Sequence, residues 1–590
     1  APPANYTLEL SSAASDVYKR QDHSTLANVA GALFILPYFL FSATAGQLAD
    51  KYEKSMLMRR VKLLEIALMT IAAYAFVTQE YMLLLLVLFL MGCQSTLFGP
   101  VKYAYLPQQL DTSELVGGNA LVEAGTYVAI ILGLIIGERV VSMGGTSQAV
   151  VGICLVTVAV AGYLASRQVP TTRAVDPELK ISLNAWSETW RIVQFAREER
   201  SVWLSVLGIS WFWFFGSAMT LQIPAYTLDI LNAADSMVTT SLLVAFAVGV
   251  GVGSLLCERM SGHRIELGLV PFGSIGLSVF AVDLYFAQPV VTTTSAASVA
   301  EFLSHPGSWR VLIDLALLGA FGGFYSVPLY ALMQQRARRE HLSRIIAANN
   351  IINSVFMVVA SVLSITVLSL GFSIPELFLI LAALNVVVAV YIYALLPEFL
   401  MRFVAWLLIS VVYRIRPSGL DNIPTTGPAI VVCNHVSYMD PILLAGSIRR
   451  PLRFVMWYKI FQIPLLRYFF KNMKAIPIAG AREDVTIMND AFERVDEELA
   501  AGNVVCIFPE GGITRDGEIQ RFRPGIEKII ARRPVPVVPV ALGRLWGSWF
   551  SRRKGGGVRT MPGRLFASVP VIVGEPVPPQ EVTAARLELL

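Results

Sequence analysis

The chain has 590 residues, 55% of them hydrophobic and 15% charged, at a mean hydropathy of +0.60. A soluble protein of that length cannot keep so much apolar surface from water, so composition excludes a purely soluble chain and points to many membrane spans. The formal charge is +5, yet residues from Leu400 onward carry 25 Lys and Arg against 16 Asp and Glu, a basic excess that suits a leaflet of anionic lipid and comes with no nucleic-acid motif.

Residues 1–25 have no initiator Met and no signal-peptide pattern. The stretch SSAASDVYKRQ reads like translated adapter sequence, so a non-native or disordered start is expected. Apolar runs of about 20 residues, the length that crosses a bilayer core, then predict helices over 26–49, 57–78, 81–105, 118–141 and 146–165. After a polar connector, 166–201, six more follow over 202–228, 239–257, 265–287, 309–333, 345–370 and 374–396. One set of alternate loops holds the basic residues: Lys51 to Lys62, Arg167 to Arg200, Arg259 with Arg264, and Arg336 to Arg344. Positive charge marks the cytoplasmic side. That puts the 166–201 connector and everything after residue 396 in the cytoplasm, and the N-terminus outside. A 5+6 arrangement reads as a 6+6 transporter without its first helix. Five scattered cysteines (Cys93, Cys154, Cys257, Cys433, Cys506) make no CxxC or metal-ligand spacing, so reduced thiols and no metal are expected.

The first span ends in Gly46-Gln47-Leu48-Ala49-Asp50-Lys51-Tyr52-Glu53-Lys54. Glycine permits close helix contact, and the aspartate can cap a helix or pair with a base across a gate. The segment resembles the cytoplasmic loop motif of the major facilitator superfamily, G-x-L-A-D-x-x-G-[RK], with Glu53 in place of the second glycine. LANVAGALFILPYFLFSATAGQLADK and Phe98-Gly99-Pro100-Val101-Lys102-Tyr103-Ala104-Tyr105-Leu106-Pro107 resemble the bacterial lysophospholipid transporters of that superfamily. The resemblance covers most of 26–396. It implies a polytopic all-α domain with about 11 spans, whose relatives enter with a helix absent here. Asp50 is the gating candidate. Lys102 and Glu123 are candidates for a headgroup cavity, since ionisable groups inside spans are costly. Each can equally sit near a span end and reach water, the favoured reading for Asp283 and Asp314.

Past residue 396 the pattern changes. Phe399 to Tyr413, followed by Arg414 and Arg416, reads as an interfacial helix or linker over 397–416, with a further span as its rival. Pro417, Gly419, Pro424, Gly427 and Pro428 mark turns. The β-branched runs AIVVC, NVVCIF and PVPVVPVAL, alternating with helical patterns, predict an α/β domain with a buried sheet over 417–590.

After the first of these strands stands Asn434-His435-Val436-Ser437-Tyr438-Met439-Asp440. Histidine can take a proton near neutral pH, and a carboxylate five residues on can turn back to fix its tautomer. A hydroxyl at the other ring nitrogen then becomes a nucleophile for a thioester, the logic of a catalytic triad with substrate alcohol in place of serine. His435 is the one histidine from residue 397 to the end. The second box, Phe508-Pro509-Glu510-Gly511-Gly512-Ile513-Thr514-Arg515, also follows a strand. Its glycines let amides approach phosphate, and arginine grips phosphate bidentately.

These are similar to the NHx4D and FPEGTR boxes of the glycerophospholipid acyltransferase family. The resemblance implies catalytic roles for His435 and Asp440, and substrate contact through Asn434, Ser437, Glu510, Gly511, Thr514 and Arg515. The inserted Gly512-Ile513 matches the EGxIT form of members fused to a lysophospholipid transporter. The family's intermediate box is carried onto Ala475 to Arg482, with Arg482 displaced by about two positions, and its last box onto Val537 to Val540, with Pro539 at the site. Phe454 to Phe470, rich in aromatics, can line an acyl groove, dip into lipid or form a core helix.

Both halves together resemble the bacterial bifunctional 2-acylglycerophosphoethanolamine acyltransferases. That implies a multi-pass protein of the bacterial inner membrane whose cytoplasmic domain re-acylates lysophospholipid. The acyl donor would be acyl carrier protein or coenzyme A thioester, with no further cofactor, and an acyl carrier protein synthetase domain often follows in that family. Two alternatives stay open: acylation of lysophosphatidic acid with the spans as scaffold, and a transporter with a silent regulatory domain.

Overall fold

In the computed structural model, the described residues are all except 1–22, 142–146, 183, 262–264, 288–297, 396–406, 408–412, 425, 449, 464–466, 468–469, 472, 549 and 552–566. The chain divides into two compact units, Ala1–Ile392 and Tyr393–Leu590.

The first unit is helical. Among the described residues, eleven helices are long and apolar enough to cross a membrane, one for each predicted span. In chain order they are α1 (His23–Lys51), α2 (Lys54–Thr78), α3 (Tyr81–Gln109), α4 (Leu115–Val141) and α5 (Ser147–Ser166). A connector helix, α6 (Ala185–Glu198), comes next. Then follow α7 (Arg200–Thr220), α8 (Ser236–Ser261), α9 (Leu269–Phe286), α10 (Pro306–Arg336), α11 (Leu342–Ser369) and α12 (Ile374–Leu395). Apolar surface alone does not hold helices together in lipid, so close packing of small residues matters. Gly249 and Gly253 of α8 lie against the Ala316 and Ala320 backbone of α10, while Gly319 and Gly323 of α10 lie against α8. A methyl group at any of the four would collide with main chain.

The connector is more ordered than its polar sequence foretold. In α6, Ile192 and Ala196 are buried, and Ile192 packs with Ala43 of α1 and Ala347, Ala348 and Ile351 of α11. Trp186 and Trp190, one turn apart, stay exposed.

The second unit is an α/β sandwich. Its strands are β1 (Tyr413–Ser418), β2 (Ala429–Cys433), β3 (Leu452–Trp457), β4 (Ile476–Ile478), β5 (Val504–Ile507), β6 (Val537–Leu542) and β7 (Ala567–Val573). The sheet order is β1-β7-β6-β2-β5-β3-β4, parallel except for the β6–β7 pair. Parallel sheets need cover on both faces. Val431 and Cys433 face a core with α13 (Asp440–Ser447), whereas Ile430 and Val432 face α14 (Val485–Ala500) and α15 (Gly525–Arg532).

Two expectations need correction. Tyr413–Arg416, read as the end of an interfacial helix, are extended and pair in parallel with β7, and the rest of that segment lies outside the described residues apart from Leu407. Phe454–Trp457 close β3, and Tyr458–Gln462 form a 3₁₀ turn, so this part of the aromatic stretch is no core helix. Both are strands with mixed exposed positions, where alternation is diluted by Arg and aromatic side chains.

Candidate active site and candidate gate

Parallel pairing brings the two distant boxes together. β2 and β5 are neighbours with Val432 opposite Ile507. Their carboxyl ends release His435 and Glu510 side by side at one edge of the sheet, where ligands of open α/β sheets bind. β3 and β4 end on the same side and carry Trp457 and the loop with Arg482.

His435 Nδ1 lies 2.8 Å from Asp440 Oδ2. The same oxygen accepts from the Val436 and Ser437 amides at 2.7 and 2.9 Å, so it is fixed from three directions. With Nδ1 donating to Asp440, the lone pair is on Nε2. The ring stacks on Phe508 with centroids 4.2 Å apart, and its side chain keeps 17% exposure while Asp440 has none. Burial pushes the Asp440 carboxyl above the usual carboxylate range, against His435 and the two amides, which favour its charge.

Glu510 clamps the two boxes. Its Oε1 accepts from the His435 amide at 2.6 Å and its Oε2 from the Gln520 amide at 2.8 Å. Burial raises its pKa too, opposed by the same two amides. Thr514 adds a third tie: its amide donates to the His435 carbonyl at 2.9 Å, and its buried hydroxyl folds the turn to Glu518. Asn434 exchanges a reciprocal pair with Leu542 at the end of β6, at 3.0 and 2.8 Å. Ser437, fully buried, donates to the Phe550 carbonyl and accepts from the Met439 amide, both at 3.2 Å. The polar atoms of Asn434, Ser437, Glu510 and Thr514 are thus engaged with main chain.

Gly511 has φ +72°, a conformation that favours glycine. Pro539 stands opposite Val432, and its carbonyl accepts from the Gly574 amide at 2.9 Å at the end of the β6–β7 pairing. Arg515 and Arg482 are exposed, and neither side chain has a hydrogen bond or ion pair among the described residues. Three residues of this site escaped the sequence reading: Phe508 as a stacking partner, Gln520, and Arg523, whose amide donates to Pro509 at 2.9 Å. The short FxPG run after the box was the available signal.

In the helical unit, Asp50 Oδ2 accepts from Arg344 Nε at 2.8 Å, both side chains being almost fully buried. The pair joins α1 to α11. Gly46, one turn earlier, sits 2.8 Å from the Ala347 side chain by its would-be Cβ. Glu53, the departure from the loop motif, caps α2 by accepting from Ser55 and Met56 and also accepts from the Thr172 amide. The connector is strapped onto the same loop: Val175 and Asp176 donate to the Asp50 carbonyl, and Gln47 makes two bonds with Ser182.

Deeper in the bundle, Glu123 accepts from Tyr103 at 2.5 Å, Tyr103 stacks on Tyr330 at 4.7 Å, and Lys102 lies 4.6 Å from the Tyr103 ring. Lys102 and Glu123 therefore share one polar cluster. Lys62, counted from sequence among the loop charges, is instead buried against Glu65 at 2.7 Å, with Gln94 donating to the same carboxylate. Asp283 pairs with Arg310 at the edge of the bundle, whereas Asp314 is buried, unlike the expected position in contact with water.

Eleven candidate spans among the described residues, followed by an α/β unit with a His–carboxylate dyad, define a multi-pass membrane protein carrying a domain equipped for acid–base chemistry. Residues 10–304, half of the chain, match the Major Facilitator Superfamily, and the chain belongs to it. Residues 414–543 match the Acyltransferase family, and the C-terminal unit is an acyltransferase domain. Over 311 residues the chain is 25% identical to the lysophospholipid transporter LplT of Photorhabdus laumondii, covering 52% of this chain and 70% of that protein. It is 34% identical over 140 residues to the chloroplastic 1-acyl-sn-glycerol-3-phosphate acyltransferase LPAT1 of Arabidopsis thaliana, covering 23% of this chain and 38% of that one. Among solved structures, the LPA acyltransferase PlsC of Thermotoga maritima aligns at TM-score 0.27 and 24% identity, over 34% of this chain and 76% of that chain. The major facilitator transporter FucP in its outward conformation aligns at TM-score 0.49 and 13% identity, over 66% and 96%.

Proposed function

We propose that this chain moves lysophospholipid across the bacterial inner membrane with its helical unit and re-acylates it on the cytoplasmic side with its α/β unit. His435 Nε2 takes the proton of the acceptor's free glycerol hydroxyl. The oxygen attacks the thioester carbonyl, the C–S bond breaks as the tetrahedral intermediate collapses, and the imidazolium returns its proton to the leaving thiolate. Asp440 holds the Nδ1–H tautomer and stabilises the imidazolium. Asn434, Ser437, Glu510 and Thr514 are positioning residues in this reading, because their polar atoms hold the boxes in register. Gly511, Pro539, Arg482 and Arg515 line the approach to them.

The donor is an acyl thioester of acyl carrier protein or coenzyme A, and the reaction needs no cofactor besides it. The basic loops of one phase support a cytoplasmic α/β unit. The Asp50–Arg344 pair reads as the latch of the gate, and the Lys102–Glu123 cluster as a place for a zwitterionic headgroup.

The observation that carries the enzymatic reading is the 2.8 Å His435–Asp440 contact, with the other ring nitrogen open beside the clamped second box. The fusion to a unit resembling lysophospholipid transporters supports lysophosphatidylethanolamine-type acceptors. The stretch similar to a plant 1-acylglycerol-3-phosphate acyltransferase favours the second reading, acylation of lysophosphatidic acid in new synthesis. Membranes holding the full chain, given a labelled acyl thioester and each acceptor in turn, separate the two. Faster transfer to lysophosphatidylethanolamine is the expected result; preference for lysophosphatidic acid would replace the first reading by the second.

A further inference from the structure

The second box carries two extra residues between its glycine and its arginine. Thr514 remains tied to the His435 carbonyl at 2.9 Å, so the box's anchor to the base ends one residue before Arg515. A different cation is tied to the core of the box. The segment Gln520–Arg523 runs back along it, held by the Gln520 amide on Glu510 Oε2 at 2.8 Å and the Arg523 amide on the Pro509 carbonyl at 2.9 Å. These bonds lay the Arg523 guanidinium over Gly511: a methyl group there would sit 2.6 Å from Cζ and Nε and 2.9 Å from Nη1. Its positive φ is what favours glycine at 511, and the cation lies directly above it. No carboxylate lies within ion-pair distance of Arg523 among the described residues, and the guanidinium is exposed. Glu483 is near enough to feel its charge, but Glu483 is itself taken by the Trp457 indole at 3.1 Å. A planar cation with its main chain tied and its donors free thus lies one residue from the carboxylate that touches the base's own amide.

We propose that Arg523, and not Arg515, receives the phosphate of the acyl acceptor and so presents its free hydroxyl to His435. The assignment rests on the acyltransferase reading above. It applies equally to a lysophospholipid phosphodiester and to a lysophosphatidate monoester, since both offer the oxygens that a guanidinium fork binds. The same contact makes Arg523 the residue that discriminates phosphate-bearing acceptors from neutral monoacylglycerol.

The test uses membranes with the full chain at matched expression. Initial rates are measured against lysophosphatidylethanolamine, lysophosphatidic acid and monoacylglycerol for wild type, Arg523→Ala, Arg523→Lys and Arg515→Ala. Losing a charge-assisted bidentate contact raises acceptor KM about 10- to 100-fold for Arg523→Ala with the two phosphate-bearing acceptors, with kcat less affected. Preference over monoacylglycerol falls by the same factor. Arg523→Lys, which keeps the stem and charge but not the fork, loses about tenfold or less and serves if the alanine variant accumulates poorly. Arg515→Ala, at the approach to the box, raises acceptor KM less than Arg523→Ala does. An acceptor-KM effect at Arg515 with none at Arg523 overturns the assignment and leaves the enzymatic reading standing. Equal losses toward monoacylglycerol overturn it as well, by making Arg523 structural. Wild-type membranes inert toward every acceptor overturn the enzymatic reading itself and the assignment with it.

Discussion

Asp440→Asn keeps the shape of the dyad and removes its charge. In the wild type Oδ2 takes hydrogen bonds from the His435 ring and the Val436 and Ser437 amides, whereas Oδ1 is buried with no partner. The asparagine oxygen must take the Oδ2 position, because an NH2 there would face two backbone donors. Its NH2 then fills the Oδ1 position, a buried donor without an acceptor, at a cost of about 1–3 kcal/mol. Loss of the charge offsets part of that, since burial already disfavours the ionised carboxyl. Stability should therefore fall by less than about 2 kcal/mol. The imidazolium, in contrast, loses its counter-charge entirely, so kcat should drop about 10²- to 10⁴-fold with acceptor KM little changed. Thioester consumption in membranes at matched expression reads the rate, and thermal unfolding in detergent reads the stability. A variant with kcat within about fivefold of wild type would refute the reasoning, because the oriented base would then not need its carboxylate.

The rate should fall as pH drops through the titration of Asp440, which must be ionised to stabilise the imidazolium; with burial holding that carboxyl up, the fall should begin above the pH of about 4 at which an ordinary aspartate titrates. A kcat/KM that stays flat down to that pH would contradict this. Glu510→Gln can satisfy only one of the His435 and Gln520 amides and turns an NH2 on the other, so it should cost about 1–3 kcal/mol of stability and lower kcat through a displaced base; wild-type thermal unfolding and rate together would exclude the clamp. Arg344→Ala strands the buried Asp50 carboxylate and should destabilise the helical unit by about 3–5 kcal/mol, whereas the double variant Asp50→Asn with Arg344→Gln should lose less. Thermal unfolding in detergent checks this, and a single variant no worse than the double would contradict it.

Much of the architecture was legible because the signals were long or chemically singular. An apolar run of span length in a chain with few charges has one stable use, and each of the eleven runs became a helix. The short runs AIVVC, NVVCIF and PVPVVPVAL were legible as strands because the sheet's centre is covered on both faces and its residues carry no polar alternation. The flanking strands were not. β1 reads YRIRPS, β3 contains Arg453 and ends in Trp457, and β7 contains Pro570, so each mixes exposed and buried positions. The dyad was readable from a histidine and an aspartate at a fixed local spacing. The bond from the His435 amide to Glu510 was not, because it depends on a main-chain amide brought into reach by the parallel register of β2 and β5. Lys62 looked like a loop charge since nothing in sequence announces that Glu65 and Gln94 meet it inside the bundle.

His435 is the proposed base of a lysophospholipid acyltransferase. The most direct measurement is lysophospholipid-dependent consumption of an acyl thioester by membranes holding the full chain or its His435→Ala variant at equal abundance. No other histidine exists in the C-terminal unit to replace it. The expected result is turnover by the wild type and a loss of at least about 10²-fold in the variant, with the variant still inserted and folded. Turnover by His435→Ala at the wild-type rate would contradict it.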